Sequence, residues 1–198
     1  MNLFCVGLSH RTANVEIRER FAGHSETDFG LRNSGCAEAL VLSTCNRVEV
    51  YGAAEKRVPT EEVARCLARE IDRQLLDDTA AFYRYENAVC VQHLFRVAAG
   101  IDSMVVGETE ILGQAKKAYE VARASGAVGR HLHRLFQRAF RVAKHVRTHT
   151  SIQRGSISVA SVAVELAEKI FSSLAARTVS PSGCAWIGVW SSSSDASV

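Results

Sequence analysis

Residues 41–52 read VLSTCNRVEVYG, an apolar run that stops at Ser43, Thr44, Cys45 and Asn46 and resumes after Arg47 in alternation, with Val48 and Val50 on one face. Ala39 to Leu42 therefore reads as a buried strand and Arg47 to Tyr51 as a second, with Cys45 at the break between them. A structural cysteine normally keeps apolar neighbours. This one is flanked by hydrogen-bonding side chains able to hold an anionic group against its sulfur, which makes it the first candidate for chemistry.

On the N-terminal side, Leu3 to Leu8 is an apolar strand emptying into Ser9-His10-Arg11-Thr12, a polar loop placed to face a ligand, before a helix near Val15 to Phe21. Gly23 to Gly35 reads as irregular. Thr60, followed by Glu61 and Glu62, starts a helix running to about Leu75, because Val63, Leu67 and Ile71 recur at helical spacing. Phe82 to Tyr85 reads as another strand, and Asn87 as the cap of a helix closed by Gly100. Glu110 to Ser125 forms a helix ended by Gly126, and Ala127 to His149 a longer one. This order predicts an α+β fold, a small mixed or antiparallel sheet with helices followed by a helical segment, rather than a doubly wound sheet.

With 198 residues, 47% of them hydrophobic and 23% charged, the chain can bury an ordinary core, which excludes disordered and fibrous classes. A net charge of +3 does not by itself imply nucleic acid. The distribution says more. At about 100° per residue, Arg130, Arg134, Arg138, Arg141 and His145 share one stripe of their helix, while Leu132, Leu135, Phe136, Ala139, Ala143 and Val146 take the opposite one. No acidic residue occurs from Val121 through Val164. Two readings of that stripe stand, a solvated face or a contact with a polyanion such as a row of phosphates. The six cysteines include no Cys-x-x-Cys pair, and His131 and His133 fall on different helix faces, so neither a zinc site nor a disulfide framework is expected. The N-terminus carries no leader pattern and no segment is long enough to span a bilayer, so a cytoplasmic chain with no membrane partner and a reduced Cys45 is expected.

Four blocks, GLSHRTANVEIRERF, LSTCNRVEVYG, HLFRVAAGIDSMVVGETEILGQ and RLFQRAFRVAKHVRTHTSI, occur in that order, and together they closely resemble the N-terminal half of the glutamyl-tRNA reductases over about residues 3–175. The resemblance implies NADPH-dependent conversion of glutamyl-tRNA to glutamate-1-semialdehyde, at the entry to tetrapyrrole (porphyrin, 5-aminolevulinate) synthesis. Cys45 matches the family's nucleophile, whose thiolate displaces the tRNA to form a thioester that then accepts hydride. Arg47 would hold a glutamyl carboxylate in a forked pair, and Thr44 and Asn46 would add neutral hydrogen bonds. His93, from the residues alone, is either a partly buried helix histidine or a site group. The resemblance favours the site, where it would move a proton or orient the substrate. Ser103, Glu108 and Gln114 match segments lining the family's glutamate pocket. Thr109 and Glu110 stand where many members have Pro-Gln; both are carried as substrate-binding residues, Thr109 also as a helix cap. Arg130, Arg134, Arg138 and Arg141 become the expected tRNA contacts. The family also implies a homodimer and glutamate-1-semialdehyde aminotransferase as a partner.

One departure matters. Where the family continues after Val179 with a strand and a Gly-x-Gly-x-x-Gly turn for the dinucleotide pyrophosphate, this chain reads SPSGCAWIGVW, with Pro181 in the strand and Gly183 and Gly188 at the wrong spacing. Residues 1–150 are therefore expected to form the catalytic domain and 151–178 a linker with the first helix of a truncated, Rossmann-like NADPH-binding domain. Residues 179–198, Ser-rich and holding Trp186 and Trp190, are expected to be an aberrant disordered tail from an out-of-frame or truncated product. On that expectation the NADPH site and the dimerisation region are missing. The chain would then work as a glutamyl-tRNA esterase only, or as a non-catalytic tRNA-binding remnant.

Overall fold

The computed structural model describes residues 1–21, 31–68, 80–152, 162, 166–170, 177–182 and 186–191. In chain order the elements are β1 (Asn2–Ser9), α1 (Val15–Phe21), β2 (Glu38–Ser43), β3 (Arg47–Ala54), α2 (Thr60–Ala68), β4 (Tyr83–Glu86), α3 (Asn87–Ala98), α4 (Glu110–Ala124), α5 (Arg130–His149), β5 (Arg177–Ser182) and β6 (Trp186–Ser191). The first four strands form one sheet in the order β2-β3-β1-β4, every neighbouring pair antiparallel. This is the α+β architecture that the order of elements predicts.

The period of two along each strand sorts side chains between two cores. Phe4, Val6 and Leu8 of β1, Ala39 of β2 and Val48 and Val50 of β3 meet Phe21 of α1 and Val63 and Leu67 of α2. On the other face Cys5, Leu40, Leu42 and Tyr51 meet α3, α4 and α5 through Leu94, Val97, Ile111, Ala115, Leu132 and Phe136. Helices cover both faces, so every residue of β3 is buried. The polar members Arg47 and Glu49 are thereby carried inside on the face of α3 to α5.

α5 follows its sequence pattern closely. Leu132, Leu135, Phe136, Ala139 and Ala143 are buried, while Arg130, Arg134, Arg138 and Arg141 are exposed. Its start falls later than Ala127. Gly126, at φ 72°, ends α4, the Ala127 carbonyl accepts from the Ala39 N–H at 3.0 Å, and the Glu38 carboxylate then caps α5 by accepting from the N–H groups of His131 at 3.0 Å and Leu132 at 2.7 Å.

Three local expectations give way. Asn87 does not cap α3 with its side chain; β4 runs straight into the helix, so Asn87 takes the kink at φ 47° and its Oδ1 accepts from the Leu3 N–H at 3.2 Å. Thr109 makes no capping bond because its backbone is already helical, at φ −90° and ψ −21°, and a capping side chain needs an extended residue. Of residues 179–198, expected from composition to be a disordered tail, 179–182 and 186–191 lie in β5 and β6, which pair as an antiparallel two-stranded sheet. The run from Trp186 to Trp190 is rich in strand-favouring side chains, and Pro181 is tolerated because both strands of such a pair are edges. The continuation of α2 beyond Ala68, and all but residues 162 and 166–170 of the helix expected after Gly155, lie outside the described residues. Among the described residues no helix is long and apolar enough to cross a membrane.

Candidate active site

Cys45 sits at the tip of the β2–β3 hairpin, exposed, in a short loop that its neighbours hold rigidly. The Thr44 N–H donates to the Arg47 carbonyl at 2.8 Å, and the Thr44 hydroxyl accepts from the N–H groups of Asn46 at 3.2 Å and Arg47 at 3.1 Å. The Thr44 hydroxyl, expected to meet substrate, is therefore engaged in shaping the turn. The polar loop after β1 brackets the tip: the His10 N–H donates to the Asn46 carbonyl at 2.9 Å, and Arg18 reaches the Cys45 carbonyl at 3.4 Å.

Arg47, two residues after Cys45, enters a buried ionic cluster centred on Glu49, a residue that the sequence motifs do not single out. Glu49 is 0% exposed. Its Oε1 accepts from the Arg47 guanidinium at 2.7 Å, faces His93 Nε2 at 2.8 Å and accepts from the Tyr83 hydroxyl, while its Oε2 accepts from the Tyr51 hydroxyl at 2.7 Å. Burial pushes the Glu49 carboxyl up, but the Arg47 charge and the hydrogen bonds from His93 and Tyr83 outweigh it and hold the group down at about 2. The ionised carboxylate can only accept, so His93 must present N–H at Nε2, and its Nδ1 is left 4.0 Å from Asp102 Oδ2.

Gly7 makes this possible. It pairs with Glu49 across the strands, and a methyl group there would lie 2.5 Å from the Val48 carbonyl oxygen and 2.8 Å from Glu49 Cγ. Glycine alone lets the Glu49 side chain fold over β1 toward α3.

Arg47 departs from expectation. It is 2% exposed, and the carboxylate it grips belongs to the protein: NH1 holds Glu49, while NH2 donates to the Asp102 carbonyl and lies 3.6 Å from its carboxylate. Burial works against the Arg47 charge, yet Glu49 more than compensates and raises its pKa. Asp102 also pairs with Arg11, half-exposed at the mouth, at 3.0 Å. Close by, burial first, and then the charges of Arg47 and Arg11, lower the pKa of His10, whose Nδ1 is buried with no hydrogen-bond partner among the described residues.

The other expected residues are spread along the next segment. Ser103 is buried beside Asp102, and Glu108 is buried with its carbonyl accepting from Arg147 at 2.8 Å. Thr109 and Glu110 are exposed at the start of α4, with Gln114 half-buried a turn on. Arg130, Arg134, Arg138 and Arg141 lie on the outer face of α5, apart from the Glu49 cluster. Cys5 Sγ, Glu49 and His93 come within 4.8 Å of one another. Both Glu49 oxygens are already occupied by donors, however, and burial followed by the Glu49 charge pushes the Cys5 thiol well up, so the trio behaves as hydrogen-bonded core rather than a ready set of ligands.

A family model described as the N-terminal domain of glutamyl-tRNA(Glu) reductase matches residues 6–150. Glutamyl-tRNA reductase 2 of Koribacter versatilis is 47% identical over 189 residues, covering 90% of this chain and 42% of the relative. Glutamyl-tRNA reductase of Stenotrophomonas maltophilia is 45% identical over 184 residues, with the same coverage of 90% and 42%. Among solved structures, glutamyl-tRNA reductase from Methanopyrus kandleri is similar, with a TM-score of 0.65 and 36% identity over 84% of this chain and 39% of that one. The chain thus spans about 42% of the length of the curated relatives it matches first.

Proposed function

The chain belongs to the glutamyl-tRNA reductase family, and from that premise we propose that Cys45 takes the glutamyl group of glutamyl-tRNA as a thioester, the first half of an NADPH-dependent reduction to glutamate-1-semialdehyde. The observation that carries this reading is an exposed cysteine on a hydrogen-bonded hairpin tip, two residues before Arg47, whose guanidinium grips the buried carboxylate that also holds His93. The Cys45 sulfur attacks the ester carbonyl, a C–S bond forms, and the C–O bond to the terminal ribose breaks. His93 Nδ1 takes the thiol proton and returns it to the departing ribose oxygen. Glu49 orients that ring as a buried carboxylate orients the histidine of a hydrolytic triad. Arg47 balances Glu49 and, through Asp102, places the segment carrying Ser103. Arg11 and Asp102 present a cation and an anion at the mouth, complementary to the side-chain carboxylate and the α-ammonium of a glutamyl ester. Asn46, Glu108, Thr109, Glu110 and Gln114 complete the reading of the acyl group.

NADPH would supply hydride to the thioester. Among the described residues β5 pairs with β6, and the chemistry assigned to these residues ends at the thioester. The same reading makes the chain cytoplasmic, a second copy its dimer partner, and glutamate-1-semialdehyde aminotransferase the consumer of its product. The test is to mix the full chain with radiolabelled glutamyl-tRNA and follow acid-stable label on the protein. Label on the wild type and none on Cys45→Ser is expected; label that survives Cys45→Ser, or none on a folded wild type, removes the thioester.

A further inference from the structure

The site leaves the arginines of α5 unused. Arg130, Arg134, Arg138 and Arg141 are exposed, and none has an acidic partner among the described residues. Solvated helix faces ordinarily interleave acids with bases, because like charges one turn apart repel. Here no acid occurs from Val121 through Val164, and among the described residues no ion pair offsets the mutual repulsion of the row. A groove flanks it on each side, one of about 720 Å³ against Tyr119 and Arg123 of α4, the other of about 290 Å³ against Val91 and Phe95 of α3, and Arg130, Arg134 and Arg138 wall both. Successive arginines rise about 6 Å or a little less along the axis, comparable to the step between phosphates on one nucleic-acid strand.

The row also has a direction. Glu38, at the end of β2 remote from Cys45, holds the first turn of α5. At the other end Arg147 donates to the carbonyls of Glu108 at 2.8 Å and Thr109 at 3.5 Å, in the segment from which Asp102 reaches Arg47. The arginines therefore run from the far edge of the sheet toward the site over roughly 17 Å.

We propose that the Arg130-Arg134-Arg138-Arg141 row is the track for the sugar-phosphate backbone of the RNA that delivers the acyl group, with the ester-bearing end directed toward Cys45. It rests on the acyl-RNA reading above. An anion on this track pairs with charge already present, and it is read by phosphate alone, without base specificity.

The test measures binding of fluorescently labelled, uncharged glutamate-specific tRNA by anisotropy over a salt series, in the full chain carrying Cys45→Ser. Arg134→Gln with Arg138→Gln is expected to reduce the slope of log K against log salt by about 1.5 to 2. Arg20→Gln with Lys56→Gln, the same charge change at exposed positions on α1 and after β3, is expected to leave it unchanged. Equal slopes for the two pairs overturn the proposal, and so does tighter binding of polyglutamate than of tRNA by the parent chain, which points to an acidic protein instead. The two readings fail separately: absent Cys45 label with unequal slopes removes the chemistry and keeps the track, whereas label with equal slopes does the reverse.

Discussion

Replacing Glu49 by Gln keeps the shape of the side chain and removes the charge on which the site is assembled. Arg47, 2% exposed, would then face only the Asp102 carboxylate, at 3.6 Å. The depressed carboxyl sets the magnitude. A fall from the ordinary 4.5 to about 2, at about 1.4 kcal/mol per pH unit, is worth ~3 kcal/mol of stability, in line with the cost of breaking a buried pair. For a chain of this length that is about 6 to 12 °C in Tm. Because the folded value lies below the unfolded one, the stabilisation is fully present above about pH 4.5 and is lost as pH falls toward 2. Urea unfolding followed by circular dichroism should therefore show Glu49→Gln less stable than the parent by ~3 kcal/mol at neutral pH, with the gap closing below about pH 4. Arg47→Met combined with Glu49→Gln should recover part of the loss, since no buried cation is then left unpaired. A parent and single variant of equal stability at neutral pH, or a gap that stays constant on acidification, would refute the assignment of Glu49 as the buried counter-charge.

Two further outcomes follow from the same geometry. His93→Gln extends an amide N–H toward the place of Nε2, where it can still donate to Glu49, but supplies no imidazole base in place of Nδ1, so the rate of acid-stable labelling should fall by about 10² to 10⁴ while the Kd for tRNA stays within about twofold; an unchanged labelling rate removes His93 from proton transfer. Glu38→Ala leaves the first N–H groups of α5 without their acceptor and should cost about 1 to 2 kcal/mol in urea unfolding; no loss would mean that the cap at His131 and Leu132 contributes nothing.

Features set by neighbours in the chain are legible one by one. The break at Cys45, the period of two through Val48 and Val50 and the arginine stripe of α5 all follow from spacing, because strand and helix periods are local properties of the backbone. The helix caps are less legible: Asn87 and Thr109 have the right chemistry for capping, but the neighbouring elements impose dihedrals that prevent it. The paired strands at 177–182 and 186–191 escape a reading by composition, in which the serines outweigh a short strand-favouring run. Glu49 has one visible signal, the charged and aromatic residues Arg47, Glu49 and Tyr51 at alternate positions in an otherwise apolar strand.

Local pattern alone is enough for the order of elements through α5, for the polar hairpin that carries Cys45 and, through four ordered blocks, for the family. Which charges meet is settled by the packed fold. The motif around Arg47 suggests a guanidinium waiting for a substrate carboxylate, yet β3 is covered on both faces, and a cation carried into that interior must find its counter-charge within the protein. Glu49 supplies it two residues away, and His93 joins it across 44 positions of chain. Such a meeting depends on strand register, on the bare α-carbon of Gly7 and on the docking of α3, none of which is a property of adjacent residues.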